Sequence, residues 1–191
     1  MKLCFATNNT HKIKEVQQLL GGAFEVVGLK AIDCTEELPE TQETIAGNSA
    51  QKAQFVYQNY GVNCFADDTG LEIEALRGEP GVHSAHYAGP ERDSRANMAK
   101  VLKKLTGISN RQAQFRTVIT LIMDEQEHTF EGIVPGAIAE AASGEAGFGY
   151  DPIFIPQGYK QSFAEMTLEE KNQISHRAKA VRKLVDFLQN H

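Results

Sequence analysis

Short apolar runs that end abruptly in polar residues constrain the fold of this chain more than any other feature. The first run, Leu3 to Ala6, leads straight into the polar segment Thr7 to Lys12, and a helical apolar period then continues until Gly21-Gly22. A second apolar run, Asn63 to Ala66, ends in Asp67-Asp68-Thr69-Gly70. Buried strands that alternate with polar loops and amphipathic helices predict an α/β fold, in which ligands bind at the carboxyl ends of strands.

The length and composition favour one globular domain that spans residues 1–191. A chain of 191 residues can bury a large core without disulfides, and 41% of its residues are hydrophobic. The formal net charge is −6, which disfavours non-specific binding to DNA or RNA because such binding needs a basic face. A polyanion can still bind through a local cluster of cations or through a metal.

The cysteines and the lengths of the apolar runs indicate in which cellular compartment the protein is expected. Cys4, Cys34 and Cys64 are odd in number and form no CxxC pair, so we expect free thiols in a reducing cytoplasm. The apolar stretch at the N-terminus is too short for a signal peptide. No run approaches the roughly 18 apolar residues that a membrane span needs, so no membrane contact is expected.

Hydrophobic periodicity and turn residues divide the rest of the chain into predicted helices and strands. An acidic loop over residues 33–43 precedes a helix predicted over residues 45–60, with Thr44 as its N-cap and Gly61 after its end. Asn48 and Lys52 are four apart and share one face of that helix. Further strands are predicted at residues 24–27, 71–75, 114–123, 128–134 (antiparallel to the preceding one), 136–142 and 153–155, and further helices at residues 94–105, after the capping pair Thr167 and Glu170, and after Ser175.

The polar segment Thr7 to Lys12 is the first candidate site. It offers hydroxyls, two side-chain amides, a lysine and backbone N–H groups just before a helix N-terminus, which attracts anions. These features favour a phosphate site, and equally a polar loop whose Asn or Thr merely caps the helix. The segment lacks the glycines of a Walker A loop.

Acidic residues form the second candidate site. Asp67 and Asp68 follow a buried strand, and because consecutive strand residues point to opposite faces, the two carboxylates are expected to have different roles. Adjacent acids at a strand end suit Mg²⁺, which prefers oxygen ligands and bridges to phosphates. Glu40 is a candidate second ligand. The alternatives are an Asp-rich turn closed by Gly70 and a solvated acidic loop around Glu40.

The C-terminal third holds the other candidates. Phe148 can stack on a base, Asp151 or Arg177 can read its edge, and Lys171 or Arg177 can hold phosphate. The competing interpretation is a glycine turn followed by an ordinary charged helix. His83 and His86 have no third partner at a fixed spacing, which disfavours a zinc site.

Six segments in the right order resemble the inosine triphosphate pyrophosphatase family, also described as XTP/dITP diphosphatases. The similarity covers nearly the whole chain, and six ordered motifs are far more specific than any one of them. Many members have an acidic residue where this chain has Gly47, directly before the helix Asn. The segments are Thr7-Asn8-Asn9-Thr10-His11-Lys12, Glu40-Thr41 with Asn48 and Lys52-Ala53, Ala66-Asp67-Asp68-Thr69-Gly70-Leu71, Pro80-Gly81-Val82-His83-Ser84-Ala85, Gly147-Phe148-Gly149-Tyr150-Asp151-Pro152-Ile153-Phe154, and Glu169-Glu170-Lys171-Asn172-Gln173-Ile174-Ser175-His176-Arg177.

The resemblance implies an elongated mixed β-sheet flanked by helices, with two lobes around a central nucleotide-binding cleft, and a homodimer. It implies Mg²⁺-dependent cleavage of deaminated purine triphosphates such as ITP, dITP and XTP into the monophosphate and pyrophosphate. Asp68 would be the general base and a metal ligand, Glu40 a second metal ligand, and Asp67 a supporting acid. Asn48 and Lys52 would act in catalysis and hold the triphosphate together with Thr7, Asn8, Asn9, Thr10, His11 and Lys12, whereas Thr69, Phe148, Gly149, Tyr150, Asp151, Lys171, His176 and Arg177 would line the nucleoside side.

The sequence is compatible with two other functions. One is a pyrophosphatase for other modified nucleoside triphosphates. The other is a sensor that binds purine triphosphates without cleaving them, although pure binding needs no general base.

Overall fold

The structure, a computed structural model, describes residues 2–20 and 24–190. The predicted helix stop at Gly21-Gly22 lies outside the described residues. The strands are β1 (Lys2–Phe5), β2 (Glu25–Gly28), β3 (Cys64–Ile73), β4 (Pro80–Gly81), β5 (Gln112–Met123), β6 (Gln126–Ile138) and β7 (Phe154–Pro156). The helices are α1 (Thr10–Leu20), α2 (Ile45–Tyr60), α3 (Ser94–Lys104), α4 (Leu168–Ile174) and α5 (His176–Asn190).

The predicted mixed sheet flanked by helices is confirmed. The strand order is β2-β1-β3-β5-β6-β7, with β4 beside β3. Strand β1 pairs with β2 and β3 in parallel, whereas β3 with β4 and β6 with β7 are antiparallel. The chain divides into two compact units: unit 1 comprises Met1–Asp68, Thr117–Gly132 and Arg177–His191, and unit 2 comprises Thr69–Arg116 and Ile133–His176.

Unit 1 has an apolar core on each face of its strands. On one face, Phe5 and Phe65 stack with ring centroids 4.4 Å apart and pack with apolar residues of α1 and α5. On the other face, Cys4 and Ala66 pack against Ala53 and other residues of α2. Because strand side chains alternate, each successive residue of β3 faces a different set of helices.

Unit 2 has a single large cluster of buried apolar residues. The edge of the Phe115 ring meets Phe154 at a centroid distance of 4.6 Å, and Phe163 lies beside both. Residues of β3, α3, β5 and β6 complete this core. Tyr150 also belongs to it, so the glycine-rich loop around Tyr150 is attached to the core rather than free in solvent.

The sequence predicted the ends of two strands, β3 and β6, incorrectly. Asp67-Asp68-Thr69-Gly70 is not a turn, because β3 runs through it without interruption to Ile73. The strand expected at residues 136–142 is instead the end of β6, which continues past Pro135 to Ile138. The predicted hairpin between β5 and β6 is confirmed in its position, since Asp124 and Glu125, both with positive φ, join two neighbouring strands.

Helix α2 has the boundaries that its end residues predicted. The Thr44 side chain accepts a hydrogen bond from the Gly47 N–H, and Gly61 ends the helix in the left-handed region with φ of 62°. The predicted capping box of Thr167 and Glu170 is also present at the start of α4. No helix within residues 2–20 and 24–190 is long and apolar enough to cross a bilayer.

Candidate active site

Asp67 is held by two cations in the interior of unit 1. Its side chain is 2% exposed. Lys12 of α1 donates to Asp67 Oδ1 at 2.7 Å, and Arg177 of α5 donates through Nε to Oδ2 at 3.1 Å. Burial raises the pKa of Asp67, but the charges of Lys12, Arg177 and Lys52 outweigh burial and hold that pKa well below its usual range. Asp67 is therefore a permanent anion committed to these partners.

Asp68 faces α2 and has different surroundings, as strand alternation requires. Lys52 Nζ lies 3.6 Å from Asp68 Oδ1. The other oxygen, Oδ2, is buried and accepts no hydrogen bond from any residue in the described ranges. Burial raises the pKa of Asp68 above its ordinary value; Lys52 and Lys12 oppose this effect, and Glu40 and Asp67 add to it. Of the two adjacent carboxylates, Asp68 is the one with an oxygen available for a proton or a cation.

Lys52 joins Asp68 to Glu40. Its ammonium group donates to Glu40 Oε1 at 2.6 Å, and its side chain is almost fully buried while that of Glu40 is partly exposed. Burial lowers the pKa of Lys52, but Asp68, Glu40 and Asp67 together raise it above its usual value. One permanent cation therefore contacts two carboxylates, which brings Glu40 and Asp68 close together.

The first turns of α2 hold the segment that carries Glu40. Asn48 Oδ1 accepts from the Gln42 N–H at 2.9 Å. Gln51 accepts from the Thr41 N–H at 2.9 Å and donates to Thr41 Oγ1 at 2.8 Å. The amide oxygen of Asn48 therefore positions the Glu40 segment, and the two hydrogen bonds of Gln51 are a contribution that the sequence did not predict.

Gly47 has a structural reason to be a glycine. A Cβ at this position would lie 2.8 Å from Gln42 Cβ and 2.9 Å from Thr44 Oγ1, because the segment before α2 packs directly on the helix. The absence of a side chain at Gly47 thus permits the close approach of Gln42 to the first turn of α2.

The Thr7–Lys12 segment contains the helix cap that one of its two sequence interpretations predicted. Asn9 Oδ1 accepts from the backbone N–H groups of His11 and Lys12 at 3.0 and 3.3 Å, and Thr7 Oγ1 accepts from the Asn9 N–H at 3.1 Å. Thr7 and Asn9 thus cap the start of α1, and Lys12 reaches Asp67. The side chains of Asn8, Thr10 and His11 are exposed at the same helix start.

In unit 2, Asp151 and Lys171 form a buried ion pair. Lys171 Nζ donates to Asp151 Oδ2 at 2.8 Å, and the Phe148 N–H donates to the same oxygen at 2.8 Å. Lys171 Nζ also lies 4.9 Å from the centroid of the Phe148 ring. Gly147 has φ of 76°, and a Cβ there would lie 2.2 Å from Asp151 Oδ2, so only glycine permits this contact.

His176 and Tyr150 are fixed by the core of unit 2. The His176 ring stacks on Phe115 with centroids 4.5 Å apart and an interplanar angle of 18°. The Tyr150 hydroxyl donates to the Ser84 carbonyl oxygen at 2.7 Å, and burial raises the pKa of Tyr150. Tyr150 therefore anchors the glycine-rich loop. Of the other candidates in that part of the chain, Thr69 continues β3 directly after Asp68, and Gly149 has φ of 65°.

Asn97 and Ser84 support this loop and were not predicted. Asn97 accepts from the Ala88 N–H at 2.6 Å and donates to the Ala85 carbonyl oxygen at 3.1 Å. The Ser84 hydroxyl donates to Gly81 O at 2.6 Å and accepts from the Leu71 N–H at 2.9 Å. The sequence signal for Asn97 was a polar side chain one position before the apolar face of α3, which is where a buried amide can reach back to a preceding loop.

The two clusters differ in what they can do. The cluster of unit 1 combines the ion-paired Asp67, the buried ammonium group of Lys52 and an Asp68 oxygen available for a cation or a proton. These groups suit the binding of phosphate and of a metal ion, and general-base catalysis. The cluster of unit 2 is aromatic, glycine-rich and cationic, which suits a planar polar ring. Arg177, for which the sequence left both base recognition and phosphate binding open, donates to Asp67 within unit 1.

Comparison with known proteins gives consistent matches over nearly the full chain. A family model described as the Ham1 family matches residues 3–187. A protein of Porphyromonas gingivalis named dITP/XTP pyrophosphatase is 56% identical over 188 residues, which are 98% of this chain and 97% of that protein. A Bacillus subtilis protein of the same name is 45% identical over 96% of this chain and 95% of its own length.

Solved structures of similar proteins have the same fold. The Ham1 protein of Staphylococcus aureus is 37% identical and superposes with a TM-score of 0.91, covering 100% of this chain and 99% of the other. A HAM1 protein from Coxiella burnetii is 34% identical with a TM-score of 0.92, and the match covers 100% of both chains.

Proposed function

Because the chain belongs to the Ham1 family, we propose that it hydrolyses deaminated purine nucleoside triphosphates such as ITP, dITP and XTP to the monophosphate and pyrophosphate. The names of relatives that match almost end to end support this substrate class. The observation that carries the mechanism is the buried Asp68 Oδ2, which accepts no hydrogen bond from the described part of the chain, in a carboxylate whose other oxygen lies 3.6 Å from Lys52 Nζ.

In the proposed reaction, water attacks the α-phosphorus. The water oxygen bonds to phosphorus, the bond to the bridging oxygen breaks, and pyrophosphate leaves with that oxygen. Asp68 accepts the proton that the water loses, and its raised pKa makes it a stronger base than an exposed carboxylate. Positioning and charge neutralisation supply most of the catalysis of phosphoryl transfer, and the Lys52 ammonium adds positive charge at Asp68.

A Mg²⁺ ion fits the residues of unit 1. Asp68 offers its unbonded oxygen, and Glu40 offers a partly exposed carboxylate on the other side of Lys52. Within the described residues there is no group of three or more His, Cys, Asp or Glu that could hold a metal alone. Mg²⁺ commonly takes one or two carboxylates and completes its shell with water and substrate phosphates. When bound by Asp68 and Glu40, the ion would neutralise phosphate charge.

The phosphate tail is assigned to the cluster of unit 1. The exposed side chains of Asn8, Thr10 and His11 lie at the start of α1, where the helix dipole favours an anion. Lys12 is paired with Asp67, so its ammonium group is not a mobile contact for the phosphates. Asn48 contributes by positioning Glu40.

The base is assigned to the cluster of unit 2. Hypoxanthine and xanthine carry an acceptor at C6, where adenine carries a donor. Asp151 holds Lys171 as a buried cation beside Phe148, and a cation near C6 favours the acceptor of hypoxanthine and xanthine over the amino group of adenine. A mismatch of this kind discriminates by about 10⁴–10⁵ when the site group is buried. The Arg177 Nε is engaged by Asp67, so this arginine is assigned to the phosphate side instead.

Two further assignments complete the proposal. Cys4, Cys34 and Cys64 are buried free thiols, which supports a reducing cytoplasm as the place of the reaction. The family resemblance supports a homodimer, which sedimentation of the purified protein would test.

A substrate panel tests the proposed function. The purified protein is incubated with Mg²⁺ and ITP, dITP, XTP, GTP, ATP, dUTP or methylated pyrimidine triphosphates, and pyrophosphate release is measured. Fast release from ITP, dITP and XTP with slow release from ATP is expected. Equal rates on all would refute the specificity, preference for pyrimidines would favour another modified-nucleotide pyrophosphatase, and ITP binding without product would favour a sensor.

A further inference from the structure

Two buried hydroxyls lie behind the acidic cluster of unit 1 and have no role in the reaction described above. Ser49 is 0% exposed and Thr120 is 1% exposed. Ser49 Oγ lies 3.1 Å from the Ala66 carbonyl oxygen and 3.0 Å from Thr120 Oγ1. A hydroxyl has one proton and a carbonyl can only accept, so both contacts are satisfied when Ser49 donates to Ala66 and accepts from Thr120.

This pair of hydrogen bonds joins the two elements that carry the reacting groups. Ala66 directly precedes Asp67-Asp68 on β3, and Ser49 lies less than one turn before Lys52 on α2. The rest of the contact is mainly apolar and includes Ala53, Val56 and Ala66, and it also contains a weak hydrogen bond from Cys64 Sγ to the Ala53 carbonyl oxygen at 3.3 Å. Apolar packing has no direction, so it holds α2 against the strands without fixing the helix along them, whereas a hydrogen bond to a carbonyl fixes that position.

We propose that Ser49 and Thr120 are positioning residues that set the location of Lys52 relative to Asp68. This inference rests on the proposed function, since it concerns the geometry of the same site. The two hydroxyls touch neither the substrate nor a reacting atom. They act by holding α2 at the position along the strands where the Lys52 ammonium group contacts both Glu40 and Asp68.

Paired variants separate positioning from stability. Ser49→Ala leaves the Thr120 hydroxyl buried and unpaired, so it lowers both stability and kcat. Adding Thr120→Val removes the stranded hydroxyl with little change of shape, which restores stability because an unpaired polar group is worse than none. The double variant is nevertheless expected to keep a kcat about tenfold below that of the parent, with KM within about threefold, because small displacements of reacting groups are costly.

Two matched controls accompany these variants. Thr120→Ser keeps the hydroxyl and should retain kcat within about twofold. Val56→Ala removes a fully buried apolar group from the same helix, so it lowers the urea midpoint while leaving the hydroxyl pair intact, and its kcat should also stay within about twofold. A loss of kcat in Val56→Ala equal to that of Ser49→Ala would overturn the proposal, because general loosening of α2 would then explain both.

Crystal structures of the parent and of Ser49→Ala/Thr120→Val give a readout that does not depend on turnover. The separation of Lys52 Nζ from Asp68 Oδ1, 3.6 Å in the parent, should change by about 0.5 Å or more in the double variant. An unchanged separation would overturn the positioning role. If the parent fails to release pyrophosphate from ITP but the separation changes as expected, the proposed function fails while the positioning role stands.

Discussion

Replacing Asp67 by asparagine should destabilise the fold, whereas the same replacement at the adjacent Asp68 should leave stability unchanged or raise it. Asp67→Asn removes the anion between Lys12 and Arg177, whose side chains are 16% and 2% exposed. Breaking a buried pair by removing one partner costs about 3–5 kcal/mol. Asparagine can still accept one hydrogen bond, so we expect a loss of about 3 kcal/mol in the free energy of unfolding, a large part of the ~5–15 kcal/mol typical of a folded protein.

The sign of each stability change follows from the shift in the pKa of the aspartate that is replaced. The pKa of Asp67 is lowered by folding, so its carboxylate stabilises the fold at every pH above its unfolded pKa and loses this contribution only as the pH falls through the lower folded value. The pKa of Asp68 is raised, so its ionised form costs stability at pH 7, and this cost disappears below the unfolded pKa of about 3.9. Asp68→Asn should therefore be as stable as the parent or more stable.

The assay is equilibrium urea unfolding in EDTA at pH 7 and at pH 5, with Asp186→Asn as a control. Asp186 is exposed on α5, and its variant should stay within about 0.5 kcal/mol of the parent. At both pH values Asp67→Asn should lose about 3 kcal/mol. A loss below about 1 kcal/mol in Asp67→Asn, or a destabilisation of Asp68→Asn as large as that of Asp67→Asn, would refute the assignment of Asp67 as the anion that stabilises the fold and of Asp68 as the anion that destabilises it.

Three further predictions test separate parts of the site. Gly147→Ala should raise KM for ITP by about tenfold or more with kcat less affected, because its Cβ would displace Asp151; an unchanged KM in steady-state assays would remove this loop from substrate binding. Thr44→Ala should cost about 1 kcal/mol in urea unfolding through loss of the α2 cap, with normal substrate preference. The acid limb of the kcat/KM profile should lie above the pH range of an ordinary carboxylate, because the pKa of Asp68 is raised, and Mg²⁺ at Asp68 should move the kcat limb to lower pH; a limb that ignores Mg²⁺ concentration would contradict this.

The sequence predicted best the features that depend on a few neighbouring residues, such as helix ends and the alternation of side chains along a strand. Helix α2 begins and ends where Thr44 and Gly61 indicated, because a capping side chain and a left-handed glycine are decided by a few neighbouring residues. The alternation of Asp67 and Asp68 likewise followed from strand geometry alone.

What the sequence could not show depends on partners far away in the chain. A turn at Asp67 and Asp68 was a competing interpretation of the sequence, but both residues lie within β3, where Lys12, Lys52 and Arg177 compensate their charges. No local pattern indicates such pairing. Ser49 left a weak signal, since it falls at helical spacing with the buried residues Ala53 and Val56, where a polar side chain must find a partner.

Side-by-side pyrophosphate release from ITP by the parent and by Asp68→Asn tests the central claim most directly. The parent should release one pyrophosphate for each ITP consumed. The variant, folded and no less stable in urea, should be slower by about 10²–10⁴-fold, because it has lost the group that accepts the proton from water. Near-parental release by the variant, or orthophosphate as the product of the parent, would contradict the account.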